Sequence, residues 1–140
     1  MDYDTVKAED FGHALTGLGL NLVTCDVKAL AGFLTGVFGM TARRLSADFA
    51  IMIYHDQVFQ LHSDPTFANH PLLSLLPEAG ARGAGIEIRL YETDPDVAAA
   101  RAENHPDTTI LQAPADKPHG LRECVILSAD GYAWVPSRRI

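Results

Sequence analysis

An internal repeat is the sequence feature that most constrains the fold of this chain. Residues 18–25 alternate large apolar residues with small or polar ones, the period-two pattern of a half-buried strand. Asp26 follows at a helix N-cap position, and apolar residues at helical spacing then continue to Gly39, which predicts the end of a helix. Period-two alternation returns over residues 48–62 and is broken at residues 55–57, which predicts a hairpin. The first half therefore predicts a strand, a helix and a return to strands.

The second half of the chain repeats this order. Residues 86–91 alternate as a strand, Asp94 follows as a helix cap, and residues 97–103 predict a short alanine-rich helix. Residues 108–111 are a further strand candidate. Two more strands are predicted on either side of the Asp130-Gly131 turn, a pair that is typical of hairpins. Both halves thus predict the order strand–helix–strand–strand–strand.

The repeat predicts one α+β domain made of two βαβββ modules. A chain of 140 residues has the length of a single domain. We expect module one at about residues 18–63 and module two at about residues 85–136. Residues 64–84 are rich in Pro, Gly and Ala and exceed a usual loop length, which predicts a linker that covers a neighbouring surface.

Charge and hydropathy exclude several classes of partner. The net charge of −7 argues against nucleic-acid binding, which needs a basic surface. No apolar run approaches the ~20 residues of a membrane span, and the first residues lack the order of a signal peptide. Cys25 and Cys124 each lie in an apolar stretch, which predicts small buried side chains in a reducing compartment rather than a disulfide. We therefore expect a cytoplasmic protein.

Two segments carry a resemblance to a known family. Residues 26–40 have an Asp, a helix with an aromatic residue and a Phe-Gly-hydrophobic ending, and residues 117–123 read Lys-Pro-His-Gly-Leu-Arg-Glu ahead of an Asp-Gly-Tyr turn. Together they resemble the vicinal oxygen chelate superfamily of glyoxalases, bleomycin resistance proteins and extradiol dioxygenases. This chain has His119 where the family usually has Trp and Ala129 where it usually has Pro. The resemblance implies two βαβββ modules whose curved mixed sheet forms a cup around a small molecule, often in a homodimer.

The resemblance also implies where a metal site would lie. Members that bind a metal use four positions, which fall here on Gly19, Gln60, Glu87 and Val135. Gly19 and Val135 cannot ligate, and two donors are too few for a stable transition-metal site. His62 lies two residues after Gln60 on the same strand face and is the one replacement donor. We therefore expect no metal cofactor; the alternative is Zn, Ni, Mn or Fe bound by Gln60, His62 and Glu87.

Strand parity predicts which side chains line the cup. Neighbouring residues of a strand point to opposite faces, so three apolar sets are expected to pack beneath the helices: Leu20 and Leu22, Phe59 and Leu61, and Ile86, Ile88 and Leu90. The opposite faces and one loop then present polar side chains, although a solvated sheet face would show the same pattern. The predicted ligand-binding residues are Asn21, Gln60, His62, Glu87, Arg89, Tyr91 and His119. The catalytic candidates among them are His62, Glu87 and His119, of which His119 is a loop histidine suited to acid–base chemistry.

Three function classes fit these observations. The first is a binding protein that holds a small polar molecule in the cup without a full metal site. The second is a divalent-metal-dependent lyase, isomerase or dioxygenase of the glyoxalase type. The third is an interaction domain that uses only its sheet edges. No motif selects glutathione, an antibiotic or a catechol as the ligand.

Overall fold

The first module forms a four-stranded mixed sheet in the computed structural model, which describes residues 1–78 and 80–140. The strand order is β1-β4-β3-β2, with β1 parallel to β4 and the other pairs antiparallel. Before it lies a short N-terminal helix. In chain order the elements are α1 (Ala8–Ala14), β1 (Asn21–Thr24), α2 (Val27–Phe38), β2 (Thr41–Arg43), β3 (Phe49–Tyr54) and β4 (Gln57–Ser63).

The second module repeats this topology. Its strand order is β5-β8-β7-β6, again with one parallel pair, β5 with β8, and two antiparallel pairs. Its elements are β5 (Glu87–Leu90), α3 (Pro95–Glu103), β6 (Thr109–Asp116), β7 (Leu121–Leu127) and β8 (Ala133–Arg139). The predicted α+β fold of two βαβββ modules is thereby confirmed.

The chain divides into two compact units. One comprises Met1–Thr35 and Gly39–Leu75, and the other Gly36–Phe38 and Leu76–Ile140. Two 3-10 helices, Asp64–Phe67 and Pro71–Leu75, follow β4. Within the described ranges, no helix combines the length and the apolar character that crossing a membrane requires.

The predicted helix boundaries are confirmed at both N-termini. The Asp26 carboxylate accepts a hydrogen bond from the Ala29 N–H at 3.0 Å, and Asp94 accepts from the N–H groups of Asp96 and Val97. At the other end of α2, Gly39 has a φ of 71°, the left-handed conformation that glycine adopts without a steric penalty. Local sequence therefore sets both helix starts.

The two helices bury side chains of different size. Helix α2 buries Leu30, Phe33, Leu34, Val37 and Phe38, whereas α3 buries only Pro95 and the small residues Ala98, Ala99 and Ala102. In the second module Trp134 of β8 is fully buried, lies 6.1 Å from the Phe38 ring, and donates from Nε1 to the Ser128 hydroxyl at 3.1 Å. A large strand residue thus fills the core beside a helix of small residues.

The structure corrects three expectations about burial. Leu20 is 40% exposed and Ile86 52% exposed, because β1 begins at Asn21 and β5 at Glu87, so neither residue packs beneath a helix. Cys25 is exposed rather than buried, since it lies between the end of β1 and the helix cap, whereas Cys124 is fully buried on β7. No disulfide joins the two cysteines.

Candidate functional site

Strand register places the module-one candidates on one face of the first sheet. Asn21 lies opposite Gln60, and His62 lies opposite both Val23 and Phe49. Directly paired residues point to the same side of a sheet. We call this surface the Gln60 face and define it by Asn21, Val23, Phe49, Ile51, Gln60 and His62.

An aromatic group surrounds the histidine of the Gln60 face. The His62 ring lies 5.2 Å from the Phe49 ring and 5.3 Å from the ring of Phe67, which belongs to the first 3-10 helix. His62 Nε2 lies 3.2 Å from the Gln60 amide oxygen, within hydrogen-bond distance. Burial lowers the pKa of His62 and favours the neutral imidazole. The Gln60 face therefore presents an uncharged hydrogen-bonding pair beside aromatic rings.

The module-two candidates lie on one face of the second sheet. Arg89 is paired with Val135, and Glu123 is paired with Ser137. We call this surface the Arg89 face and define it by Glu87, Arg89, Glu123, Val135 and Ser137. Because β8 lies between β5 and β7, the Arg89 side chain reaches across β8 to contact Glu123 on β7.

The guanidinium of Arg89 is the centre of a charged cluster. Its Nη1 donates to Glu87 Oε2 at 3.2 Å, and its Nη2 donates to Glu123 Oε2. His119, in the turn between β6 and β7, places Nε2 3.2 Å from the same Glu123 oxygen. The Tyr91 ring centre is 5.7 Å from the guanidinium carbon, within cation–π range. Arg89 therefore contacts Glu87, Tyr91 and Glu123, and Glu123, which sequence reasoning missed as a site residue, also contacts His119.

Glu123 is a buried carboxylate with two partners. Its side chain is 9% exposed. Burial raises the pKa of Glu123, but hydrogen bonds from Arg89 and His119 outweigh that effect, and the net shift is downward. Cys124 and Ile126 are fully buried on one face of β7, so Glu123, one residue away, faces the other way. The pairing with Arg89 depends on strand register across β8, which local sequence does not specify.

The opposite face of the second sheet carries a separate ion pair. Arg122 Nε donates to Asp96 at 2.7 Å, and its Nη1 donates to Asp116 at 3.1 Å. Arg122 and its neighbour Glu123 therefore point to opposite sides of β7. Cys124 shares the Arg122 side, where burial raises the pKa of its thiol to about 11, which keeps it protonated and unreactive.

The side chains at the expected metal positions do not fit a metal ion. Gly19 precedes β1 and has no side chain, and Val135 is fully buried and apolar. The Glu87 carboxylate already holds Arg89, and the Gln60 oxygen faces His62 Nε2. In the part of the chain that the structure describes, no three His, Cys, Asp or Glu side chains are arranged to hold an ion. The residues at the expected metal positions therefore do not form a complete set of metal ligands.

Comparison with solved structures identifies the fold. A glyoxalase/bleomycin resistance protein/dioxygenase family enzyme from Burkholderia phytofirmans PsJN superposes with a TM-score of 0.68 at 16% identity, covering 87% of this chain and 97% of its own. TioX from Micromonospora sp. ML1 gives 0.64 at 18% identity, with 90% and 100% covered. The fosfomycin resistance protein FosX from Mesorhizobium loti gives 0.62 at 13% identity, with 90% and 94% covered.

These likenesses span nearly the whole chain. No protein-family model and no curated protein sequence matches it. Identities this low establish a shared fold and not a shared activity. The chain therefore has the glyoxalase/bleomycin resistance/dioxygenase fold that its sequence predicted, and its activity must be argued from its own residues.

Proposed function

We propose that this protein binds a small polar molecule without a complete metal site, and that the Gln60 face and the Arg89 face, each considered by itself, carry side chains suited to contact such a molecule. The predicted ligand-binding residues are Asn21, Gln60 and His62 in module one and Glu87, Arg89, Tyr91 and His119 in module two. Fold likeness alone does not assign this function. The proposal therefore depends on the side chains of each face.

The charged cluster on the Arg89 face is the observation that carries the proposal. Glu123 is 9% exposed and Arg89 24% exposed, so both charges have given up most of their hydration. Buried ion pairs often add little net stability and are weak evidence of a structural role. This cluster lies on the sheet face away from the α3 core, because Cys124 and Arg122 of β7 contact α3 residues Pro95 and Asp96 on the other face. Such a cluster is better suited to recognising a ligand than to holding the core.

The Gln60 face supplies a different kind of contact. His62 is neutral and half-buried between two phenylalanine rings, and Gln60 adds an amide with donors and acceptors. Ligand sites are usually apolar surfaces with a few placed polar groups, and this face has that composition. Of the proteins of similar fold, one is a fosfomycin resistance protein, and antibiotics of that size are consistent with such a surface.

Protein-observed NMR of isotope-labelled protein tests the binding directly. The probes are fosfomycin, bleomycin, glutathione and catechol, supplemented by a library of small polar fragments. We expect at least one probe to bind and to shift backbone amides near Gln60, His62, Arg89 or His119. Glu123→Gln should weaken that binding, whereas Arg122→Met, on the opposite face, should leave it unchanged. Absence of binding by every probe, or shifts confined to the outer edges of the sheets, would favour an interaction domain instead.

The alternative is a divalent-metal-dependent lyase, isomerase or dioxygenase. The observation in its favour is that Gln60 and His62 share a face and that His62 is neutral, the protonation state that binds metals. Adding Zn, Ni, Mn or Fe(II) to metal-stripped protein should then raise its melting temperature. A rise that Gln60→Ala and His62→Ala both abolish would support this alternative by showing that these residues bind the metal.

Two further parts of the proposal concern assembly and location. We propose a homodimer, as the family resemblance implies, and sedimentation at several concentrations would test it. Cytoplasmic location is proposed because Cys25 and Cys124 are not joined in a disulfide, a state that a reducing compartment maintains. Fractionation of the source cells would test that proposal.

A further inference from the structure

Four aromatic rings follow one another along the Gln60 face and the segment after β4. The centre of the His62 ring lies 5.2 Å from that of Phe49 and 5.3 Å from that of Phe67, and the Phe67 ring lies in turn 4.7 Å from that of His70. Phe49 and Phe67 meet the His62 ring at steep angles of 60° and 54°, so neither is stacked parallel on it. All four residues belong to the first compact unit. A planar ligand that stacks on His62 therefore displaces no parallel ring.

Two side-chain amides lie on the same sheet face as these rings. Asn21 on β1 is paired with Gln60 on β4, so the two amides are on neighbouring strands. The Gln60 amide oxygen lies 3.2 Å from His62 Nε2, and the Asn21 side chain is exposed. A side-chain amide carries a donor beside an acceptor, and for this reason Asn and Gln form paired hydrogen bonds with the edge of adenine. Rings and amides together match a ligand that is planar and has such an edge.

The six residues that define the Gln60 face include no ionised side chain. Burial lowers the pKa of His62, which favours the neutral imidazole. Arg43 of β2 is paired with Ile51, but its Nε lies 3.8 Å from a carboxylate oxygen of Asp4, which matches its charge. A phosphate or carboxylate of a ligand would thus meet no cation among the six residues. The ligand that suits this face is uncharged.

We propose that the Gln60 face binds an uncharged planar nitrogen heterocycle, which stacks on the rings of His62 and Phe67 and is hydrogen-bonded along its edge by Gln60 and Asn21. Proteins hold unstacked nucleobases in this way, through aromatic rings that include His and Phe and through hydrogen bonds to the base edge. Nucleobases, pterins and flavins share this chemistry, so the test includes each of them. The inference rests on the proposed function and names the ligand class for one of its two faces.

The opposite face of the same strands supplies matched control variants. Gln57 on β4 is an exposed glutamine, Tyr54 on β3 is a half-buried aromatic residue, and the two are paired with each other. Each lies an odd number of residues from the members of the Gln60 face on its own strand, so both point to the other side. Gln57→Leu and Tyr54→Leu therefore remove groups comparable to those removed by Gln60→Leu and Phe67→Leu, but away from the proposed site.

Protein-observed NMR titrations test the inference with adenosine, guanosine, pterin and lumichrome as probes and ribose as the non-planar control. We expect at least one heterocycle to bind and to shift the backbone amides of Gln60 and His62, and ribose not to bind. Phe67→Leu should raise the Kd about tenfold, because it removes a stacking ring. Gln60→Leu should raise it by a similar factor, about tenfold, because it removes the edge contact. Gln57→Leu and Tyr54→Leu should leave the Kd within about twofold of the wild type.

Folding of each variant is checked by far-UV circular dichroism. Phe67→Leu should fold, because the 3-10 helix that carries Phe67 has no buried residue. If Gln60→Leu is unfolded, Asn21→Ala, a change at an exposed position, takes its place with the same expected weakening.

Two results would overturn the inference while the proposed function stands. One is binding of other polar fragments when no heterocycle binds. The other is heterocycle binding that Phe67→Leu and Gln60→Leu leave unchanged, or that the two control variants weaken equally. Absence of binding by every probe, fragments included, would instead count against the proposed function, and the inference would fail with it.

Discussion

The two modules have the same strand order and the same pairing directions, yet their candidate faces differ in chemistry. The Gln60 face carries an uncharged amide–imidazole pair between aromatic rings, and the Arg89 face carries an arginine held by two carboxylates. Backbone pairing and helix caps are therefore what the repeat preserves. The side chains that would touch a ligand are free to diverge, because they contribute little to the topology.

The cores of the modules differ in a second way. Helix α2 contributes large residues, and α3 contributes alanines whose small side chains bury little apolar area. In module two the missing volume comes from Trp134 on β8. The corresponding position of module one is Leu61 on β4, which is also fully buried. In module two, the last strand therefore supplies more of the core volume and the helix supplies less than in module one.

The largest expected effect tests whether Trp134 supplies the main core volume of module two. Trp134→Ala should lower the free energy of unfolding by about 3–5 kcal/mol, because it removes the largest core side chain and its hydrogen bond to Ser128. Leu61→Ala, the matched change in module one, should cost less, about 2–4 kcal/mol. Urea unfolding followed by circular dichroism measures both. A larger loss for Leu61→Ala would show that module two does not depend on its tryptophan.

A smaller effect distinguishes the two ion clusters of the second sheet. Without added metal, Arg89→Met should destabilise the fold by about 2–3 kcal/mol, because Glu123 loses its main partner while buried. Arg122→Met, whose partners are largely exposed, should cost clearly less, since surface ion pairs contribute little. The same urea experiment compares them. Equal losses would mean that burial of Glu123 has no energetic consequence.

The candidate faces should also respond to different pH ranges. Burial lowers the pKa of His62, so the unfolded chain binds its proton first, and stability should fall as pH drops below the ordinary histidine value of 6.5. Glu123 has a net lowered pKa, so its contribution is present above the ordinary carboxyl value of 4.5 and is lost as pH falls further.

Melting temperatures from pH 8 to pH 3 separate the two contributions. His62→Gln should flatten the curve just below pH 6.5, and Glu123→Gln should flatten it below pH 4.5. Curves in which His62→Gln keeps the full wild-type slope near pH 6 would contradict the assignment to the Gln60 face.

The smallest effect concerns the two thiols and leaves stability unchanged. Cys25 is exposed, whereas burial raises the pKa of Cys124 to about 11. Native protein should therefore react with one equivalent of Ellman's reagent, and unfolded protein with two. Cys25→Ser should abolish the native reaction. A native protein with two reactive thiols would show that β7 opens readily.

Sequence alone predicted the parts of the fold that are set locally. The caps at Asp26 and Asp94, the stop at Gly39 and the β7–β8 turn all follow from neighbouring residues. Helix α1 was not predicted, because within it Phe11 is the one buried residue, and the three-residue strand β2 is too short to show alternation.

Most residues of the candidate site could be predicted from the sequence, but the contacts between them could not. Parity placed Gln60 with His62, and Glu87 with Arg89, on common faces, because i and i+2 on a strand are always neighbours. Glu123 escaped notice because its pairing with Arg89 spans 34 residues of sequence and crosses an intervening strand. The buried hydroxyl of Ser137, which has no hydrogen-bond partner among the described residues, was equally invisible, since burial of a serine depends on what surrounds it.

Metal content of the untagged protein, purified without chelators, tests the central claim most directly. Mass spectrometry of the desalted protein should find no stoichiometric transition metal, and EDTA should leave the melting temperature unchanged. One metal ion per chain that copurifies, and whose removal lowers the melting temperature, would contradict a binding protein without a complete metal site.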